Sequence, residues 1–406
     1  MRAAFDTADP VLSAAAWSRV AEPGDTTAGM LVRAVGATSA LDWVLAAIGP
    51  GAERPAVDGL LERLGVPTAR RSVLGRRLLS ALARWAPRLD GLDPRRELRV
   101  LASLDGRLLV PGQPGWLRGA DLLGDAAPFC LWVREGRGAA ADWDAVLGRS
   151  VALVGARAST DYGTRVASDL AAGLADRRFA IVSGGAYGID AAAHRGTIAA
   201  GGATVAVMAG GVDRLYPAGN RDLLERILTE GGAVMSEVPP GSMPSRTRFL
   251  QRNRVIAAIA GATVVVEAAW RSGSLSTATH AARLNRPVGA VPGPITSMAS
   301  AGCHRLMREH AAVCVTDADE VAELAGTIGG DIAPEKVAPS RPTDGLGDRA
   351  RHVYDALPVR ASAGIEALAR ACGAGPRDVL AGLGELEARG LASRASTGWR
   401  RVGTTT

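Results

Sequence analysis

Lysine is almost missing from this chain: Lys336 is the only one, so nearly all of the positive charge is arginine. Without a lysine an α/β region can neither end a phosphate loop in Gly-Lys-Ser/Thr nor offer an amine for a Schiff base. Walker-type hydrolysis and imine chemistry are therefore excluded there. Cysteine is sparse as well. Cys130, Cys303, Cys314 and Cys372 form no C-x-x-C pair and sit in apolar surroundings, which predicts buried thiols in a reducing compartment. Cys303-His304, His310 and Cys314 raise a zinc reading, but the spacing lacks a C-x-x-C or H-x-x-x-H element. Val313-Cys314-Val315 reads instead as a buried strand, and no metal is expected. No apolar run reaches spanning length, and Asp6 and Asp9 interrupt the N-terminal stretch that a signal peptide would keep unbroken. A cytoplasmic protein without a membrane partner is expected.

What is present is a series of short apolar runs, each broken by small or polar residues. Val151-Ala-Leu-Val154 stops at Gly155 and Arg157, Ile181-Val182 at Ser183-Gly184-Gly185, and Val205-Ala-Val-Met208 at Gly210-Gly211. Val234-Met-Ser236 stops at Glu237, Val264-Val-Val266 at Glu267, and Val288-Gly-Ala-Val291 at Pro292-Gly293. Apolar strands alternating with helical segments predict an α/β fold, a parallel sheet covered on both faces that binds ligands at the carboxyl ends of its strands. Gly, Ser, Arg and Glu are concentrated at those ends. A chain of 406 residues allows about two to four domains. A net charge of +6 suits a polyanionic partner, or a soluble protein with scattered arginines.

The flanks differ from the sheet. Residues 1–75 read as helices, with apolar positions at three-to-four spacing around Val11-Leu12-Ala15-Ala16 and Leu41-Val44-Leu45-Ile48, separated by the turn Glu22-Pro-Gly-Asp25. That helix-turn-helix-like pattern either packs or touches a nucleic-acid backbone. Residues 76–145 are less regular, with a tight turn and aromatic plug at Val110–Trp116 and a strand at Ala127–Arg134 leading to the sheet of 146–325. Residues 326–345 carry the Pro and small-polar content of a linker. Residues 346–402 then predict three helices and a hairpin, the winged-helix order. The helix in the recognition position, 376–389, holds only Arg377 and Arg389 against Asp378, Glu385 and Glu387, so either protein or DNA contact suits it.

Three clusters could carry chemistry. In Ser183-Gly184-Gly185-Ala186-Tyr187-Gly188-Ile189-Asp190, the glycines between strand and helix let backbone N–H groups approach an anion. Asp190 and His194, one turn apart, also permit a nucleophilic set with Ser183. In Phe249-Leu-Gln-Arg252-Asn253-Arg254, two arginines can fork onto phosphates while Asn253 orders the turn; Glu237 or Glu267 can equally hold one of them. Arg157, Arg246 and Arg248 would extend the positive rim. Ser272-Gly273-Ser274 after Glu267 places a further hydroxyl-rich cradle on the same edge.

Taken in order, Val154-Gly155-x-Arg157, Ser183-Gly184-x-Ala186-x-Gly188-Ile189-Asp190, Tyr216-Pro217, Ser236-Glu237, Phe249-x-x-Arg252-Asn253-Arg254, Glu267, Ser272-Gly273-Ser274 and Val291-Pro292-Gly293 resemble the DprA (Smf) family of DNA-processing proteins. The resemblance implies an extended Rossmann-like domain at 146–325 between an N-terminal helical domain of the SAM or helix-hairpin-helix kind and a C-terminal winged helix. It implies a homodimer that binds single-stranded DNA and loads the RecA recombinase during natural transformation, without a cofactor or a catalytic residue. Arg157, Arg252 and Arg254 would touch phosphates, helped by Gly155, residues 183–188 and residues 272–274. Asp190, His194, Glu237, Phe249 and Glu267 would support the site.

The chain departs from the family pattern at Tyr187, where a basic residue is common, at Leu250 in place of a proline, and at His304 and His310. Tyr187 beside Gly185 and Gly188 is expected to project over the pocket mouth and stack on a base, or else to cover the adjoining helix. The rival reading is a nucleotide-processing enzyme of the phosphoribohydrolase type with Glu267 as its acid. Its proline, paired glycines and Gly-Thr-x-x-Glu signature is missing after the fifth strand.

Overall fold

Aspartates open the first two helices. In the computed structural model, which describes residues 3–49, 51–136, 138, 140, 142–335, 341 and 343–402, Asp9 accepts from the amides of Val11 and Leu12 to start α1 (Pro10–Val20). Asp25 does the same for α2 (Thr26–Val35), followed by α3 (Ala37–Ala47), α4 (Glu53–Arg63), α5 (Thr68–Leu89) and α6 (Pro94–Ala102). Trp17 of α1 meets Trp85 of α5 edge-on at 5.5 Å and Phe129 at 5.6 Å, all three buried, so the apolar faces of this segment are spent on packing. α5 runs through residue 75 because Leu78, Ala81, Leu82 and Trp85 extend the same core. The helical segment therefore does not stop where the sequence pattern weakens. Trp116 is the expected plug, buried with its indole N–H on Asp121 at 2.9 Å.

The apolar runs form one nine-stranded sheet: β1 (Gly106–Leu109), β2 (Leu131–Glu135), β3 (Ser150–Val154), β4 (Ala180–Ser183), β5 (Thr204–Met208), β6 (Ala233–Ser236), β7 (Ala262–Val265), β8 (Val288–Ala290) and β9 (Val313–Cys314). Their order is β1-β2-β6-β5-β4-β3-β7-β8-β9. Strands β3 to β9 pair in parallel, while β1 and β2 join antiparallel at the β6 edge. Successive residues point to opposite faces, so β3 splits its side chains between two cores. Val151 and Leu153 pack with α8 (Asp161–Asp176) and α9 (Ile189–Ala199). Ala152 and Val154 pack with α11 (Arg246–Ile259) and α12 (Ser274–Arg283). Short helices α7 (Trp143–Leu147), α10 (Arg221–Thr229), α13 (Ala301–Arg308) and α14 (Ala318–Ala325) complete this part. The result is the α/β class expected from the sequence.

Two of the four thiols depart from expectation. Cys130 and Cys303 are buried, but Cys314 is exposed and Cys372 half-buried. Cys314 lies in the last strand at the open edge of the sheet, which the apolar pattern alone could not distinguish from an interior strand.

By contact density the chain divides into two compact units, Met1–Pro334 and Glu335–Thr406. Lys336 and residues 337–340 and 342 of the expected linker lie outside the described residues. In the second unit, α15 (Asp348–Ala356), α16 (Ile365–Cys372) and α17 (Pro376–Ala388) precede the antiparallel strands β10 (Ala392–Ala395) and β11 (Gly398–Arg401). Gly373 ends α16 in the left-handed conformation, at φ +63°. Among the described residues no single helix is long and apolar enough to cross a membrane.

Candidate nucleic-acid interface

β3 and β7 are neighbours, but the chain leaves β3 towards β4 and leaves β7 towards β8. Their carboxyl ends therefore diverge into a crevice, the place where open α/β sheets bind ligands. A cavity of about 790 Å³ opens there. Gly155 to Ala158 line it from β3, Ser272 to Ser274 from the β7–α12 turn, and Arg246, Phe249, Arg252 and Asn253 from α11.

Arg157, Arg246 and Arg271 line the cavity, are exposed, and among the described residues form no ion pair, so their guanidinium groups are available to a phosphate. Two aromatics stand beside them. The Arg157 guanidinium lies 4.5 Å from the centre of the Phe249 ring, and Tyr216 tilts towards the same ring at 6.0 Å. Tyr216 is half exposed and lines the cavity, which leaves part of its ring open to a ligand.

The α11 arginines named from the sequence behave differently. Arg254 is 2% exposed and its Nη2 donates to both Glu237 carboxylate oxygens at 2.5 and 2.6 Å, so the expected structural pairing is the real one and a phosphate in the crevice cannot reach this side chain. Arg252 is 7% exposed; its Nη1 donates to the carbonyls of Gly184, at 2.9 Å, and Val207. Burial lowers its pKa to about 10 despite the Asp190 carboxylate nearby. Arg252 thus closes the sheet end as the floor of the cavity. Arg248 turns from the rim to Glu22, which it meets twice at 3.0 Å. Asn253 orders the turn as expected, donating to the Gly273 carbonyl at 3.2 Å and to Ser276 at 2.9 Å.

The Ser183–Asp190 cradle is already filled. Gly188, at φ +74°, swings the chain into α9, and the Asp190 carboxylate accepts from the amides of Gly184 at 3.1 Å and Ala186 at 3.4 Å. The anion of this cradle is the chain's own. Burial raises the Asp190 carboxyl, opposed chiefly by Arg252. Ser183 is fully buried and donates to the Leu153 carbonyl at 2.6 Å, while His194 Nδ1 lies 2.8 Å from Thr204 Oγ1. The nucleophilic set does not assemble, because α9 points His194 into the core rather than towards Asp190. Burial also depresses the His194 pKa to about 3.

The β7–α12 cradle is different. Gly273 is exposed, α12 has no side-chain cap, and Ser272 and Ser274 hydroxyls sit 2.8 Å apart facing the cavity. Glu267 does not reach it. It is buried and accepts from the Thr160 amide at 2.9 Å and hydroxyl at 2.6 Å, which removes the acid that the rival enzyme reading needs. Tyr187 is 47% exposed, but its hydroxyl lies 2.7 Å from where a Cβ on Gly219 would stand, and it does not line the cavity. The ring rests on the 218–220 turn rather than over the pocket mouth. Sequence reasoning named Tyr216 only as part of a motif and missed Arg271, whose one signal was its place between an aromatic and the Ser-Gly-Ser turn.

Comparison with known proteins supports the fold and the family. The family described as DNA recombination-mediator protein A matches residues 112–326. The chain is 43% identical over 404 residues to the putative DNA processing protein DprA of Mycobacterium tuberculosis H37Rv, covering 97% of this chain and 95% of that protein. It is 40% identical over 174 residues to DNA processing protein DprA of Streptococcus pneumoniae R6, covering 43% and 61% respectively. The X-ray structure of DprA from Streptococcus pneumoniae superposes with a TM-score of 0.53 at 28% identity, covering 70% of this chain and 95% of that one. By its motifs, its sheet and its near full-length similarity, the chain belongs to the DNA recombination-mediator protein A family, the DprA and Smf proteins.

Proposed function

We propose that the chain binds single-stranded DNA in the β3/β7 crevice, acts as a homodimer, and loads RecA recombinase onto the bound strand during transformation or recombination, making and breaking no bond itself. The observation that carries this reading is the meeting of three exposed arginines, Arg157, Arg246 and Arg271, with the Tyr216 and Phe249 rings in one cavity. Arginines without acidic partners attract phosphates, and aromatic faces accept any base, which together suit a single strand of arbitrary sequence. Family membership supports the mediator role. The exposed edge strand β9, with Ile295 and Met298 exposed on the segment after β8, supports self-association. In the second unit, Arg389 is paired with Glu385, so the recognition helix lacks the basic face of a groove reader, and a protein partner suits it better.

Titration of single-stranded and duplex oligonucleotides of equal length across a salt series tests the binding step. Preference for the single strand is expected, with log affinity falling against log salt at about −2 for three phosphates. Equal affinity for duplex, or no salt dependence, overturns it. The mediator step is read from RecA filament assembly on strands precoated with single-strand-binding protein, which the full chain should accelerate.

A further inference from the structure

The largest aromatic at the sheet edge stands just outside the cavity. Ser272 N donates to the Ala269 carbonyl at 3.0 Å, closing a turn whose two central residues are Trp270 and Arg271. Central turn residues point away from the protein, and Trp270 is about half exposed. Ala269 and Arg271 line the cavity while Trp270 between them does not, so its ring stands beside the cavity wall rather than within it. The turn is built to hold that ring. Gly302 of α13 approaches so closely that a Cβ there would lie 2.7 Å from the Ala268 carbonyl oxygen, and its amide donates to that oxygen at 2.7 Å. One turn further along α13, Arg305 donates to the Trp270 carbonyl at 3.4 Å and places its guanidinium 5.1 Å from the centre of the ring.

The geometry points to Trp270, oriented by Arg305, as a second base-stacking platform that carries a single strand beyond the cavity. This rests on the single-strand reading of the crevice. A tryptophan at a turn tip contributes little to packing, and a cation over one face fixes the ring without hiding it. Arg271 beside it and Arg305 beneath it favour a polyanion over an apolar protein surface. The strand would pass from the Tyr216 and Phe249 rings across Arg271 to Trp270, with Arg305 as a positioning residue.

The test uses the full chain with oligothymidylates of about 5 and about 20 nucleotides, lengths chosen to occupy the cavity alone or to run past it. Trp270→Ala should leave the short affinity unchanged and weaken the long one about tenfold or more, while Trp270→Phe keeps most of it. Arg305→Ala should weaken the long oligonucleotide less, with Arg305→Lys partly restoring it. Thermal melts confirm that each variant folds. An alanine variant equal to wild type on both lengths overturns the inference. So does one that loses both lengths alike, because the ring then belongs to the cavity. A change in sedimentation mass with DNA affinity intact overturns it in favour of a contact between copies. If wild type binds neither length, the crevice reading fails and this inference with it.

Discussion

The β4–α9 turn and the β7–α12 turn use the same vocabulary of Ser and Gly between a strand and a helix, yet one is closed and the other open. In the first, Asp190 fills the amides of Gly184 and Ala186, and Arg252 seals the adjoining carbonyls. In the second, no carboxylate reaches the turn among the described residues, and Ser272, Ser274 and Arg271 face the cavity. A Gly-rich loop therefore marks a place where backbone can approach an anion, not whether that anion comes from a ligand or from the chain.

The strongest test of this division is Arg254→Ala. It strands a buried Glu237 carboxylate, so stability should fall by about 3–5 kcal/mol, read as a large drop in melting temperature. A variant that melts normally but fails to bind DNA would move Arg254 to the open side. Next comes the pH response of the closed side. His194 is depressed to about 3 by burial, below its ordinary value of 6.5, so the unfolded chain takes up a proton that the folded one refuses. Its contribution is intact above pH 6.5 and is lost as pH falls towards 3, amounting to about 2 kcal/mol at pH 5. His194→Gln should flatten the dependence of melting temperature on pH between those limits. An unchanged slope assigns the acid sensitivity to other groups.

On the open side, Arg157→Ala and Arg271→Ala should each weaken single-strand binding by about 1–2 kcal/mol and reduce the salt slope by about 0.7, with melting temperature nearly unchanged. Loss of stability in place of affinity would erase the contrast with Arg254. The smallest effect is expected at Tyr187. Because its ring lies against Gly219 and outside the cavity, Tyr187→Ala should shift affinity by less than the ~1–3 kcal/mol of a stacked base. A tenfold loss would place that ring on the strand path after all.

Much of the fold is legible in the sequence, because a buried parallel strand needs a continuous apolar run and its carboxyl end needs a break. Val151–Val154, Val205–Met208 and Val264–Val266 announce themselves in this way, and the ordered motifs identify the family. The pairing of one α11 arginine with Glu237 or Glu267 was readable as an alternative, since both carboxylates stand at strand ends. What the pattern could not do was rank the charges. Arg246, Arg252 and Arg254 are close in sequence, but Arg246 opens α11 in solvent while Arg252 and Arg254 leave the helix on different sides, one buried on Gly184 and Val207 and the other on Glu237.

The α/β class, the polar breaks at the strand ends, and the exclusion of lysine chemistry were determined by the sequence alone, because they depend on residue types and short-range periodicity. The tertiary structure decided which cradle the chain leaves uncapped, which arginines remain exposed, and that Tyr216 rather than Tyr187 joins Phe249. The arginines and the tyrosine depend on partners far along the chain: Glu237 for Arg254, Gly184 for Arg252, Gly219 for Tyr187. Hydrogen bonding and burial between such distant residues, unlike periodicity, leave no local trace.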